Sequence, residues 1–143
     1  MKKSFLLLIA LITLSISSNA QTKLFKDYLV GTWVGEIKGK STRNLLIIIK
    51  TVTYNTTTEV GTISGYSAVD GTNKTNFKGT FTFEDGYLDI ILKEPGTNKT
   101  DGKFTIASQG PPGSQVAEPK VLIGKWKSYS QALIKDVLVT KSE

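Results

Sequence analysis

The sequence predicts an all-β fold, an eight-stranded antiparallel up-and-down (meander) barrel, and three observations point to it. Short β-type runs succeed one another with little helical periodicity between them. Turn dipeptides such as Asp70-Gly71 separate the runs, and five of them carry a glycine two residues before a large apolar side chain. Strands spaced about 8–12 residues apart suggest a meander, and closing a meander into a barrel removes its edges. A β-sandwich is the alternative closure of the same pattern.

In chain order, Lys23 to Leu29 has helical character for one or two turns and is followed by the first run, Gly31 to Lys38. The second, Leu45 to Thr53, is rich in Ile and Val. The third, Glu59 to Val69, ends at Asp70-Gly71, a strong hairpin-turn pair. The fourth, Asn76 to Phe83, puts Phe77, Gly79, Phe81 and Phe83 on one face and Lys78, Thr80 and Thr82 on the other, the alternation of a half-buried strand. Glu84-Asp85-Gly86 turns the chain into the fifth run, Tyr87 to Lys93, with Leu88, Ile90 and Leu92 inward and Asp89, Ile91 and Lys93 outward. Glu94-Pro95-Gly96 ends it, and Asp101-Gly102 opens the sixth, Lys103 to Ser108. A loop over Gln109 to Pro119 contains Gly110-Pro111-Pro112-Gly113, which regular structure does not accommodate. Val121 to Tyr129 and Leu133 to Lys141 complete the set.

The glycine pattern comprises Gly31/Trp33, Gly61/Ile63, Gly79/Phe81, Gly102/Phe104 and Gly124/Trp126. Each pair shares one face of its strand. Inward positions that alternate small and large suit a tightly curved barrel wall.

Residues 1–20 read as a cleavable secretory signal peptide of bacterial type, and residues 21–143 as a single β-barrel domain. Met1-Lys2-Lys3 is the positive region, Phe5 to Leu14 an apolar run of about ten residues, and Ser18-Asn19-Ala20 a small-residue cleavage site. The run falls short of the roughly 17 apolar residues that a membrane-spanning helix needs. A soluble, exported product, periplasmic or extracellular, is therefore expected.

Removing Lys2 and Lys3 lowers the formal net charge from +6 to +4. The remaining lysines, among them Lys74, Lys78, Lys93, Lys99, Lys103, Lys120, Lys125, Lys127 and Lys135, are scattered as on a solvated face, and Arg43 is the single arginine. Nucleic acid is not an expected partner, because a binding groove wants arginine and interleaved aromatics. The chain has no Cys and no His. Thiol nucleophiles, Cys/His zinc sites and a Ser-His-Asp triad are excluded, and the fold stands without disulfides. Asp70-Gly71 and Asp101-Gly102 lack the alternating oxygen ligands of a calcium loop, so neither metal nor cofactor is expected.

Leu29-Val30-Gly31-Thr32-Trp33 resembles the opening strand of the avidin/streptavidin family and, more loosely, of the lipocalins. Gly65-Tyr66-Ser67-Ala68-Val69-Asp70-Gly71 with Phe77-Lys78-Gly79-Thr80-Phe81 resembles that family's third-to-fourth strand hairpin, and Trp126-Lys127-Ser128 with Asp136 to Lys141 its closing strands. The resemblance implies a small secreted barrel with a ligand at its mouth. It also implies roles: Ser67 and Asp136 as polar ligand contacts, and Trp126 as the tryptophan that caps the ligand from a neighbouring subunit. Most biotin-binding positions depart from the pattern. Gly35 and Gly39 stand where the family has an asparagine and a serine, Gly65 stands where it has a tyrosine, and the middle-strand tryptophans have no counterparts. The barrel is implied by the resemblance, and biotin is not.

Tyr66, Ser67, Trp126 and Asp136 are thus the candidate ligand-binding residues, able to supply convergent polar groups and an aromatic wall in a barrel mouth. Trp33 reads as a core plug. Glu94 and the Glu84-Asp85 pair read as soluble turn formers, without the paired-carboxylate geometry of glycoside hydrolysis, and no enzyme activity is expected. The leading expectation is a non-enzymatic binder of a small, partly apolar ligand. The alternative is a protein-interaction or inhibitor barrel that acts through its surface loops, Gln109 to Pro119 above all, and a protein partner or homo-oligomer is compatible with either.

Overall fold

A computed structural model of the chain describes residues 19–108 and 120–143. The expected cleavage site after Ala20 falls within a helix, α1, that occupies residues 19–29 of the described chain. Eight strands follow: β1 (Gly31–Lys38), β2 (Thr42–Asn55), β3 (Val60–Val69), β4 (Thr72–Glu84), β5 (Tyr87–Lys93), β6 (Gly102–Ser108), β7 (Val121–Ser128) and β8 (Ile134–Lys141). Each is antiparallel to the next, and β8 closes on β1, so the sheet is a closed up-and-down barrel.

β1 and β5 have the ends that their alternation predicts. β2 and β4 run further, because polar Thr42-Arg43-Asn44 and Thr72 to Thr75 pair across their hairpins although nothing apolar marks them. Asp-Gly turns account for the tightness of the β3–β4 and β4–β5 hairpins, whereas β1 and β2 are joined by Gly39-Lys40-Ser41. Asp70 and Gly71 have φ of 50° and 71°, and Asp85 and Gly86 have φ of 52° and 87°, the positive values that a two-residue hairpin matching the sheet twist requires.

The interior is filled by the chain's own side chains. Trp33, Ile47, Ile49, Phe81, Leu88, Ile90, Leu92, Phe104, Leu122 and Val139 are all but fully buried and belong to one apolar cluster. The recurring glycines make room across strands. Gly61 is paired with Phe81, whose ring lies where a Cβ would stand on Gly61. A Cβ on Gly102 would likewise fall 2.5 Å from the Trp126 indole. Gly35 and Gly65 are crowded by the backbone carbonyls of Leu138 and Ile48, so neither position admits the polar side chain that the avidin pattern would put there.

One end of the barrel is plugged by α1. Phe25, Tyr28 and Leu29, spaced to share one helix face, are buried. The Phe25 ring packs against Tyr54, Phe81 and Phe83, with centroids 4.6, 5.3 and 5.3 Å away. Trp33 Nε1–H donates to the Leu29 carbonyl at 2.9 Å, and Lys141 Nζ donates to the Asp27 and Tyr28 carbonyls, both at 2.8 Å. A cation on the last carbonyls of a helix answers its negative end. Trp33 is therefore the core plug that its sequence context suggests. No helix among the described residues is long and apolar enough to cross a membrane.

Candidate functional site

At the barrel end away from α1, the inward alternation of β5 carries one residue past the end of the strand at Lys93. Leu88, Ile90 and Leu92 point inward, and so does Glu94, which is 8% exposed. The β5–β6 corner holds it in place. Glu94 N–H donates to the Gly102 carbonyl at 3.0 Å, and Gly102 N–H donates back to Glu94 Oε2 at 2.6 Å. From β7, Trp126 Nε1–H donates to the same Oε2 at 3.2 Å, and from β3, Ser67 Oγ donates to Oε1 at 2.8 Å. A register shift directly after Ser67 bends β3 at this point. Three separate parts of the wall thus meet on one carboxylate.

Its charge is not neutralised by an ion pair among the described residues. Burial pushes the Glu94 carboxyl above the usual carboxylate range, the hydrogen bonds from Ser67, Trp126 and Gly102 pull it back, and the nearby Asp101 charge pushes it up again. Asp101 is 1% exposed and fastens the connecting loop. Its Oδ2 accepts from the N–H groups of Thr97 and Asn98 at 3.0 and 3.1 Å, whereas its Oδ1 is buried without a hydrogen-bond partner. The Asp101 carbonyl accepts from Tyr129 N–H at 3.2 Å. Burial, then the Glu94 and Asp101 charges, push the half-exposed Tyr129 phenol upward. Lys135 Nζ sits 5.1 Å over the Trp126 ring, a cation–π contact at the rim.

Of the four residues expected to line the mouth, Ser67 and Trp126 come together, through Glu94. Tyr66 and Asp136 do not join them. Tyr66 follows the opposite parity from Ser67 and lies on the outer wall, between Lys50 Nζ at 5.2 Å and Lys74 Nζ at 5.1 Å. Asp136 pairs in register with Lys125, whose neighbour Trp126 faces in, so its carboxylate is outside and bonded to Lys125 Nζ at 2.7 Å. The expectation that Glu94 is a solvent-facing turn former is also corrected. It is a buried acceptor, and the rhythm Leu88, Ile90, Leu92 extended by two positions was the sign that could have found it. Gln109 to Pro119 lie outside the described residues, and so does the expected leader apart from Asn19 and Ala20.

The chain matches no protein-family description, and comparison with curated proteins and with solved structures found no match.

Proposed function

We propose that this chain is an exported, non-enzymatic binding protein with an avidin- or lipocalin-like use of its barrel. It takes a small, partly apolar ligand at the end away from α1. The observation that carries this reading is the convergence of Ser67 and Trp126 on the buried, unneutralised Glu94 carboxylate. The barrel interior is filled, so the ligand sits shallowly, against the Trp126 indole and over the polar floor. Glu94 has acceptor capacity beyond its three protein donors, and the ligand offers it an N–H or O–H group. Both carboxylate oxygens are already engaged, which suits a fixed acceptor better than an acid or base in turnover. Export follows from the order of charge, apolar run and small residues in the first twenty positions.

The test uses cyclic ureas such as 2-benzimidazolone and their N,N′-dimethyl counterparts, which keep the shape and lack the donors. Binding is followed through the Trp126 indole N–H resonance, assigned with Trp126→Phe. The donor compounds are expected to move that resonance, and the methylated ones to bind at least about tenfold more weakly, the discrimination a buried polar partner can impose. If both series leave the resonance in place, or move it equally, the mouth is not a site of this kind.

A further inference from the structure

The strand register assembles a feature that is invisible along the chain. Lys78 of β4 stands directly opposite Lys93 of β5, Lys93 opposite Lys103 of β6, and Lys103 opposite Lys127 of β7. These lysines form one unbroken row across four adjacent strands. Their inward-facing chain neighbours Gly79, Leu92, Phe104 and Trp126 pair in the same order on the other side of the wall, which puts all four lysines on the outside. Lys78, Lys93 and Lys127 are exposed and Lys103 is partly so. None of the four has an ion-pair partner among the described residues. The outward positions of the next row toward α1 are Thr80, Ile91, Thr105 and Lys125, with no acid among them; on the mouth side the register continues to Asp101 and Tyr129, and the Asp101 carboxylate is turned back onto the N–H groups of Thr97 and Asn98 rather than paired with a lysine of the row.

Like charges directly opposite on neighbouring strands oppose folding, and here three such pairs are contiguous at the strand spacing of about 4.8 Å. Acidic residues are available to this fold and are placed elsewhere: Asp136 answers Lys125, Asp70 answers Arg43, and Glu36 answers Lys38. A cationic row left uncompensated calls for an external anion.

We propose that the outer face of β4–β7 binds a flexible linear polyanion without aromatic groups, an acidic polysaccharide bearing carboxylate or sulfate groups. The row follows a closed eight-stranded wall over four of its strands, so it is convex. A flat anionic membrane meets only part of it, whereas a flexible chain wraps it. Thr80, Ile91 and Thr105 on the α1 side offer no stacking platform and Tyr129 on the mouth side is a single half-exposed ring, so the row lacks the series of aromatics on which successive bases of a nucleic acid stack.

Binding of the full chain to a heparin oligosaccharide and to oligogalacturonate is measured by titration calorimetry at several salt concentrations. Affinity is expected to fall steeply with salt, and Lys93→Glu/Lys103→Glu to weaken it by about tenfold or more. Lys26→Glu/Lys40→Glu, the same charge change at exposed lysines away from the row, is expected to weaken it by about twofold or less. Lys93→Gln/Lys103→Gln, which adds no new charge, should lie between the two. Thermal melts of each variant accompany the titrations, so that a loss with an intact fold counts and a loss through unfolding is recognised. Equal losses in row and control variants would overturn the proposal, and so would tighter binding of oligothymidylate, tighter binding of phosphatidylglycerol vesicles, or no binding of either saccharide.

Discussion

Replacing Glu94 separates two things that this residue does, accepting hydrogen bonds and carrying a buried charge. Glu94→Ala orphans two buried donors, Trp126 Nε1–H and Gly102 N–H, while the Ser67 hydroxyl is free to turn elsewhere. Each orphaned donor costs about 1–3 kcal/mol, and the relief of a desolvated charge offsets part of the sum. A net loss of about 3 kcal/mol is expected, which lowers the melting temperature of a domain this size by roughly 10 °C. Glu94→Gln keeps an acceptor for Trp126 and Gly102 and turns its amide toward Ser67 Oγ, which then accepts. That variant should be at least as stable as the parent at neutral pH. The two also differ in pH dependence. Burial raises the Glu94 carboxyl, so the folded protein keeps this proton to a higher pH than the unfolded chain does. The stability Glu94 contributes is full below the ordinary carboxylate range and is lost as pH rises through the raised value. Urea unfolding of parent and Glu94→Gln, followed by circular dichroism across the acidic to neutral range, should show the parent losing ground to the variant as pH rises. A difference that stays flat, or moves the other way, refutes the buried charge. An Ala variant as stable as the parent refutes the network.

Two further perturbations test the construction around the site. Phe25→Ala removes the ring that α1 presses onto Tyr54, Phe81 and Phe83 and should cost about 3–5 kcal/mol in urea unfolding; a loss under about 1 kcal/mol would mean that α1 does not plug the barrel. Gly102→Ala puts a methyl group against the Trp126 indole and should destabilise by about 1–3 kcal/mol while shifting tryptophan emission, and an unchanged spectrum would contradict the close approach of ring and backbone.

The fold was largely legible because its determinants are local. Alternation in Asn76 to Phe83 and Tyr87 to Lys93 sets which faces point inward, and the Asp-Gly pairs set where the chain reverses. The site was half legible. Parity alone separates Tyr66 from Ser67, so both could not line one pocket. Glu94 was hidden by its setting: beside Pro95-Gly96 it has the composition of a turn, and its burial depends on Ser67, 27 residues back, and Trp126, 32 residues on. Asp101 was hidden in the same way, since an Asp-Gly pair advertises a turn and says nothing of a carboxylate folded back onto Thr97 and Asn98. The lysine row shows the same limit. Its members are separated along the chain by 15, 10 and 24 residues, and only the pairing of four strands brings them side by side.

Both proposed surfaces are written on the same strands in alternate residues. Leu92, Phe104 and Trp126 face the interior and support the polar floor, while Lys93, Lys103 and Lys127 face out. Because the strand period is two, a substitution at one set leaves the other set's side chains on their own side of the wall. Register is the property they share. A one-residue slip of β6 against β5 and β7 would bring Lys103 inside and Phe104 out, at a cost no barrel of this size could absorb, so the packing of Phe104 and Trp126 is also what keeps the lysines aligned. Loss of polyanion binding on substituting Phe104 would therefore report on register. Loss on substituting Lys103, with the core intact, reports on charge, and that is why the surface is tested with lysine variants alone.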